Sequence, residues 1–261
     1  MAVGDRLGAG GLEGVGASRV LALADPQAIS RVAAERIVKI ARLAVSERGV
    51  FHWALSGGST PEPLYRLLAT PEYDELIPWE CLEVFWSDER CVSPEDRASN
   101  FGMVRRSGLL ERRFGGVHRM PGEMPPAKGA AAYEVTLREV VPESTAREDS
   151  PVDNPCGVPV LDLVLLGLGS DGHTASLFPG SPALSEKDRL VVSAGPRGGY
   201  SRLTFTPPLL RAARSLLFLV SGKGKEQALR AALRGDVNIP AGLVDKQGRK
   251  TAWLVENALL G

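Results

Sequence analysis

The chain has 261 residues, 44% of them hydrophobic, and its 31 lysines and arginines are matched by 31 aspartates and glutamates. That length buries a sizeable core as one large domain. With a formal net charge of zero, no global field draws the protein to nucleic acid or to an anionic membrane, so an anionic ligand has to be caught locally.

The first eighteen residues carry six glycines in their first sixteen positions and no continuous apolar stretch. They are expected to form a flexible tail, neither a signal peptide nor a membrane anchor, with one domain over residues 19–261. Apolar, β-branched or aromatic runs then recur at 19–24, 50–55, 82–86, 161–166, 216–220 and 251–255. Between the first two, Ile29, Val32, Ala33, Ile37, Ile40, Ala41 and Ala44 keep a three-or-four spacing that predicts a helix, stopped by Gly49. Such alternation predicts an α/β fold, a mostly parallel Rossmann-like sheet flanked by helices. Residues 143–160, with Pro151, Pro155 and Pro159, read as a surface excursion. No later apolar run approaches the roughly 18–20 residues that span a bilayer. Cys81, Cys91 and Cys156 are odd in number and lack C-x-x-C spacing, which argues against a disulfide framework and a cysteine zinc site. A reducing cytoplasm is the expected location.

In a parallel sheet the loops after the strands share one rim, where ligands bind. Four such loops are chemically loaded. Ser56-Gly57-Gly58-Ser59-Thr60 runs into Pro61, which suits a helix start with Thr60 as N-cap. Its glycines and free amides suit a phosphate, although a well-capped strand-to-helix turn would look the same. It is not a Walker loop, lacking G-K-[ST], nor a G-x-S-x-G elbow. Ser87-Asp88-Glu89-Arg90 is read as a charged loop after the third strand. There Arg90 offers a planar fork to phosphate oxygens, and Asp88 is a candidate for orienting that arginine or meeting substrate hydroxyls.

The third loop contains Gly167-Leu168-Gly169-Ser170-Asp171-Gly172, which matches the G-x-G-x-x-G pattern of a dinucleotide turn. That reading needs a helix at the third glycine and an acidic residue about 20 positions on. His173 follows at once, Pro179-Gly180 interrupts any helix, and the next apolar run ends in Ala194-Gly195. The nucleotide reading fails on context, leaving a turn that displays Asp171 and His173. Of the three histidines, His52 falls in a predicted strand as a structural residue and His118 has nothing reactive nearby in sequence. His173 is flanked by glycine and threonine, and an imidazole there can act as a general base. No second histidine stands at metal-ligand spacing, so no metal is expected. Arg202, on a short β-like run, and Lys223, in Ser221-Gly-Lys-Gly-Lys225 near a helix start, are each unremarkable alone. With Arg90 and the glycine loops on one rim they suggest a small phosphorylated substrate.

These segments, LSGGSTP, WSDER, LDLVLLGLGSDGHTASLFPG, RLTFTPPLL, SGKGK and the closing IPAGLV and TAWLVENA, resemble the 6-phosphogluconolactonase family from about residue 19 onward. The resemblance implies a fold similar to glucosamine-6-phosphate deaminases and ribose-5-phosphate isomerases, without metal or organic cofactor. It implies hydrolysis of 6-phosphoglucono-1,5-lactone to 6-phosphogluconate in the oxidative pentose phosphate pathway. His173 would be catalytic with Asp171 beside it, while Arg90, Arg202 and Lys223 would hold the phosphate and neighbouring oxygens. Gly57, Gly58, Ser59, Thr60, Asp88 and Gly169 complete the expected ligand set. No nucleic acid, membrane or obligate protein partner is expected.

The deaminases share the Asp-Gly-His turn, but their pattern has a glutamate five residues after the histidine, where this chain has Phe178. Their strand-three motif has an acidic pair followed by tyrosine, against Asp88-Glu89-Arg90 here. Glu256-Asn257 departs from the aspartate-led segment typical of the lactonases near the end. A non-catalytic sugar-phosphate sensor is a further alternative. Residues two apart on a turn need not touch, so contact between Asp171 and His173 is a point for the structure to decide.

Overall fold

The computed structural model describes residues 19–143, 157–245 and 250–261. The predicted tail, Cys156 and most of the proline-rich excursion lie outside the described residues. Strand β1 (Arg19–Leu23) leads into helix α1 (Pro26–Arg48). The Asp25 carboxylate accepts a hydrogen bond from the Ala28 amide at 2.7 Å and caps the helix. The three-or-four spacing becomes a buried stripe of Ile29, Ala33, Ile37, Ala41 and Ala44, and Gly49 ends the helix. Next come β2 (Phe51–Leu55), α2 (Glu62–Leu68), β3 (Leu82–Trp86), β4 (Asp88–Arg90), α3 (Asn100–Arg106), β5 (Gly116–Val117) and α4 (Pro126–Val140). The second half adds β6 (Leu163–Gly167), β7 (Val191–Arg197), β8 (Tyr200–Phe205), α5 (Pro207–Ala212), β9 (Ser215–Val220), α6 (Glu226–Leu233), α7 (Pro240–Val244) and β10 (Lys250–Glu256).

Seven strands form one sheet in the order β1-β10-β9-β6-β2-β3-β5, and every neighbouring pair is parallel. All five residues of β2 are buried, as expected of a strand covered on both faces. Trp53, Trp86, Trp253, Phe51, Phe85 and Phe218 are fully buried. Phe218 stacks on Trp253 across β9 and β10 at 3.8 Å, so the apolar runs stay strands through tertiary burial. Because β9, β6, β2 and β3 are consecutive neighbours, their carboxyl-end loops meet on one stretch of rim. That stretch is where ligands sit in such folds.

Two expectations need correction. The segment after β3 is not a free charged loop: Asp88–Arg90 forms β4, which pairs antiparallel with β8, itself antiparallel to β7, as a second, three-stranded sheet. Buried Glu89 explains why a charged tripeptide becomes a strand. Its carboxylate accepts from the Asn100 amide at 2.7 Å, the Phe101 amide at 2.8 Å, the Arg90 amide at 2.7 Å and the Ser99 hydroxyl at 3.0 Å. Burial nevertheless pushes that carboxyl above the usual range, against the lowering pull of the three amides. Thr60 is also not a helix N-cap. Helix α2 starts at Glu62 after Pro61 with no side-chain cap, and the Thr60 hydroxyl instead lies 3.3 Å from Ser221 Oγ.

His52 is buried 3.5 Å from Asp162. His118 pairs with Glu83 at 2.6 Å and stacks on Phe85 beside the β5 edge. Cys81 and Cys91 are free thiols. No helix among the described residues is long and apolar enough to cross a membrane.

Candidate active site

The turn after β6 is closed by its own backbone. The Gly169 amide donates to the His173 carbonyl at 2.9 Å and the Gly172 amide to the Gly169 carbonyl at 3.0 Å. Inside this turn Asp171 Oδ1 lies 2.5 Å from His173 Nδ1 and accepts from the His173 amide at 3.1 Å. The two side chains therefore do touch. Partial burial raises the Asp171 carboxyl, but the His173 ring, amide and charge outweigh it and hold the group below the usual carboxylate range. With Nδ1 engaged by a carboxylate, the ring presents Nε2 as its free nitrogen.

Only glycine fits position 169: a Cβ there would stand 2.0 Å from His173 Nδ1. The sequence reading placed Gly169 among the anion donors. Its amide is engaged within the turn, and its contribution is clearance for the imidazole. Beneath that ring lies Phe178, with centroids 4.6 Å apart; the side chain is almost wholly buried.

Arg90 and Arg202 are direct register partners across β4 and β8. Like charges directly opposite on a sheet repel, and neither arginine has a carboxylate within ion-pair distance among the described residues. Arg90 Nη1 donates to the Ala98 carbonyl at 2.7 Å, and Arg202 Nη2 to the Arg197 carbonyl at 3.4 Å. The Nε of each is buried without a hydrogen-bond partner among the described residues. Burial depresses the Arg202 guanidinium, Asp88 opposes that, and Arg90 adds to it. Two partly desolvated guanidiniums held side by side make a local positive field on a chain that is neutral overall.

The Gly57–Thr60 segment lies on the same rim, and none of its four amides donates to another described residue. Ser221 Oγ, 3.3 Å from Thr60 Oγ1, brings the Lys223 loop against it. Lys223 is exposed. The loop that carries it is steadied by the Gly222 amide, which donates to Glu256 at 3.0 Å. Glu256, a departure from the lactonase pattern, is thus placed beneath this loop.

Asp88 sits differently from its expected place. Its buried carboxylate accepts from Ser176 Oγ at 2.6 Å and from Asn100 Nδ2 at 3.3 Å, and forms no ion pair with Arg90. Ser176 belongs to the His173 loop, and its amide donates to Thr204 Oγ1 on β8 at 3.1 Å. Asp88 therefore ties the histidine loop to the arginine strands.

The family model for glucosamine-6-phosphate isomerases/6-phosphogluconolactonase matches residues 24–253. The chain belongs to this family. Within it, a 6-phosphogluconolactonase of Synechocystis is 40% identical over 219 residues, covering 82% of this chain and 85% of the relative. The structure of 6-phosphogluconolactonase from Trypanosoma brucei superposes with a TM-score of 0.79 at 29% identity, covering 93% of this chain and 97% of that one. A monomeric glucosamine-6-phosphate deaminase shares the fold, with a TM-score of 0.72 at 20% identity, covering 92% and 98%.

In this family member the sequence reading missed the residues that hold the site together. Asn100, Ser176 and Thr204 are buried and join segments far apart in the chain. Asn100 donates to the Asp88 carbonyl at 2.8 Å and lies so close to Gly57 that a Cβ there would meet its Oδ1 at 1.9 Å. No local spacing signals such contacts. The only hint was the double glycine at 57 and 58, which leaves room for something.

Proposed function

We propose that this chain is a 6-phosphogluconolactonase that hydrolyses 6-phospho-D-glucono-1,5-lactone to 6-phospho-D-gluconate. The observation that carries this reading is the Asp171–His173 pair, engaged through Nδ1, on the same rim as the facing Arg90 and Arg202. The Synechocystis relative of the same name supports it.

His173 Nε2 takes a proton from water as the water oxygen attacks the lactone carbonyl carbon. The ring C–O bond then breaks, and the imidazolium returns the proton to the departing ring oxygen. The new carboxylic acid ionises and releases one proton to solvent. Asp171 holds the ring in the tautomer that leaves Nε2 free and stabilises the imidazolium between the two steps. Arg90 and Arg202 take the phosphate, whose charge of nearly two matches theirs. The unengaged amides of residues 57–60 and the Lys223 side chain serve the remaining anionic oxygens. Phosphate binding far from the reacting carbon positions the lactone without entering the chemistry.

Acid release from fresh 6-phosphoglucono-1,5-lactone in a pH-stat, corrected for spontaneous hydrolysis, tests the reading, with ammonia release from glucosamine 6-phosphate followed in parallel. Acid well above the blank without ammonia is the expected result. Ammonia would transfer the chain to the deaminases, and silence in both assays would favour a sensor. An apolar ring at position 178 against His173 disfavours amine chemistry there.

Two variants follow from the geometry. Arg90→Ala removes one of the two facing guanidiniums and is expected to raise KM about 10- to 100-fold with a smaller fall in kcat. Equal loss in kcat at unchanged KM would show that Arg90 serves the reacting end instead. Gly169→Ala forces the imidazole out of its place, and a misplacement near 1 Å costs about 100-fold in turnover. Its fold should persist, so a melting curve near wild type beside a collapsed kcat is the expected pair of results.

A further inference from the structure

Strands β7 and β8 end in a hairpin whose two turn residues, Gly198 and Gly199, have φ of +60° and +85°. Positive φ at both positions defines the tight primed turn that fits strand twist, and it registers Arg197 opposite Tyr200. Between Ala194 and Arg197 the β7 register shifts. Irregularities of this kind re-aim a side chain and are common beside active sites. Arg197 is the first paired residue beyond this shift, and its guanidinium carbon lies 5.1 Å from the centroid of Phe178. Arg202 lies 5.6 Å from the same centroid and donates to the Arg197 carbonyl. Phe178 is also the ring packed on His173.

One buried ring therefore gathers the imidazole and two guanidiniums. An arginine held over an aromatic ring is fixed in place without being neutralised, and its N–H edge remains available to an anion. A guanidinium at an exposed hairpin tip ordinarily samples many rotamers; the turn, the register shift and the ring together restrict this one.

We infer that Arg197 is a further substrate-binding residue, meeting the phosphate beside Arg202, and that Phe178 is its positioning residue. The inference rests on the lactonase reading for its substrate. It adds a third arginine to the site and makes the β7–β8 hairpin part of the binding surface.

The test compares Arg197→Ala, Arg197→Lys and Arg113→Ala. Arg113 is highly exposed and among the described residues pairs with Glu80 alone, so its removal reports the effect of losing one surface charge. Arg197→Ala is expected to raise KM for the lactone about 10-fold and to weaken 6-phosphogluconate binding in calorimetry to a similar degree. Arg197→Lys should recover part of both, and Arg113→Ala should change neither. Inorganic phosphate should compete less well against Arg197→Ala than against wild type. KM and product affinity within twofold of wild type in Arg197→Ala would overturn the inference while leaving the lactonase reading intact. An equal rise in KM in Arg113→Ala would also overturn it, since bulk charge would then be the cause. If wild type releases no acid from the lactone, the lactonase reading fails, and the effect of Arg197→Ala on phosphate and 6-phosphogluconate binding still decides the inference.

Discussion

His173→Ala is expected to lower kcat by about 10²- to 10⁴-fold, the range a positioned general base supplies, with a much smaller change in KM. The size follows from where the proposed base sits. Its Nδ1 is occupied by Asp171 at 2.5 Å, so Nε2 is the only ring nitrogen that can take a proton from water. The substitution keeps the backbone that closes the turn, the Gly169 amide on the residue 173 carbonyl. It also leaves the Arg90 and Arg202 pair untouched. The His173 side chain is 35% exposed, so its loss removes chemistry without emptying a core. Steady-state kinetics with a no-enzyme blank decide the matter, because the lactone also opens unaided. Turnover equal to wild type would remove His173 from the mechanism. A rise in KM at constant kcat would make it a binding residue only.

The parallel sheet was legible because its strands are apolar on both faces, and burial from both sides leaves that signature in a run such as Leu163–Gly167. Helix α1 was legible for the matching reason: one face is buried along its whole length, and Ile29 to Ala44 repeat at its period. The second sheet was not. Asp88-Glu89-Arg90 reads as solvated charge until Ser99, Asn100 and Phe101 arrive to receive the Glu89 carboxylate and Ser176 arrives to receive Asp88. Those partners lie 10 to 88 residues away, beyond any local period.

The candidate site divides along the same line. Turn chemistry exposed the proposed pair, Asp171 and His173, because glycines at 169 and 172 mark a backbone built to display them. What the turn does with them depends on contacts absent from any pattern. The Asp171–His173 contact requires the missing Cβ at Gly169, and the Phe178 stack requires a ring five positions away to fold back beneath the imidazole. The facing of Arg90 and Arg202 depends on the register of an antiparallel pair 112 residues apart in the chain. Charge and residue type were readable; mutual orientation was a property of the assembled fold.

Asp162→Ala is expected to destabilise the fold by about 3 kcal/mol while leaving the chemistry alone. Asp162 is 2% exposed at the foot of the sheet, just before β6 and at the opposite strand end from the His173 loop. It accepts from the His52 amide at 2.8 Å and from Arg48 Nη2 at 2.9 Å, and lies 3.5 Å from Arg214 Nε. One carboxylate thus joins the end of α1 to the starts of β2, β6 and β9. Breaking a buried charge pair costs about 3–5 kcal/mol. The lower end applies because Arg48 and Arg214 are about one-third exposed and can turn toward water, whereas the His52 amide cannot. For a domain of this size 1 kcal/mol moves Tm by about 2–4 °C, so a fall of about 6–12 °C is expected. Asp162→Asn keeps an acceptor for the His52 amide and loses only the charge, so it should fall between the two. A Tm for Asp162→Ala within about 2 °C of wild type, less than 1 kcal/mol on the same scale, would show that the arginines and not the carboxylate hold this junction. A matching loss of kcat at a temperature where the variant is fully folded would show that the foot of the sheet is coupled to its rim. That coupling would have to run through β6, the strand that begins beside Asp162 and ends at the turn displaying His173.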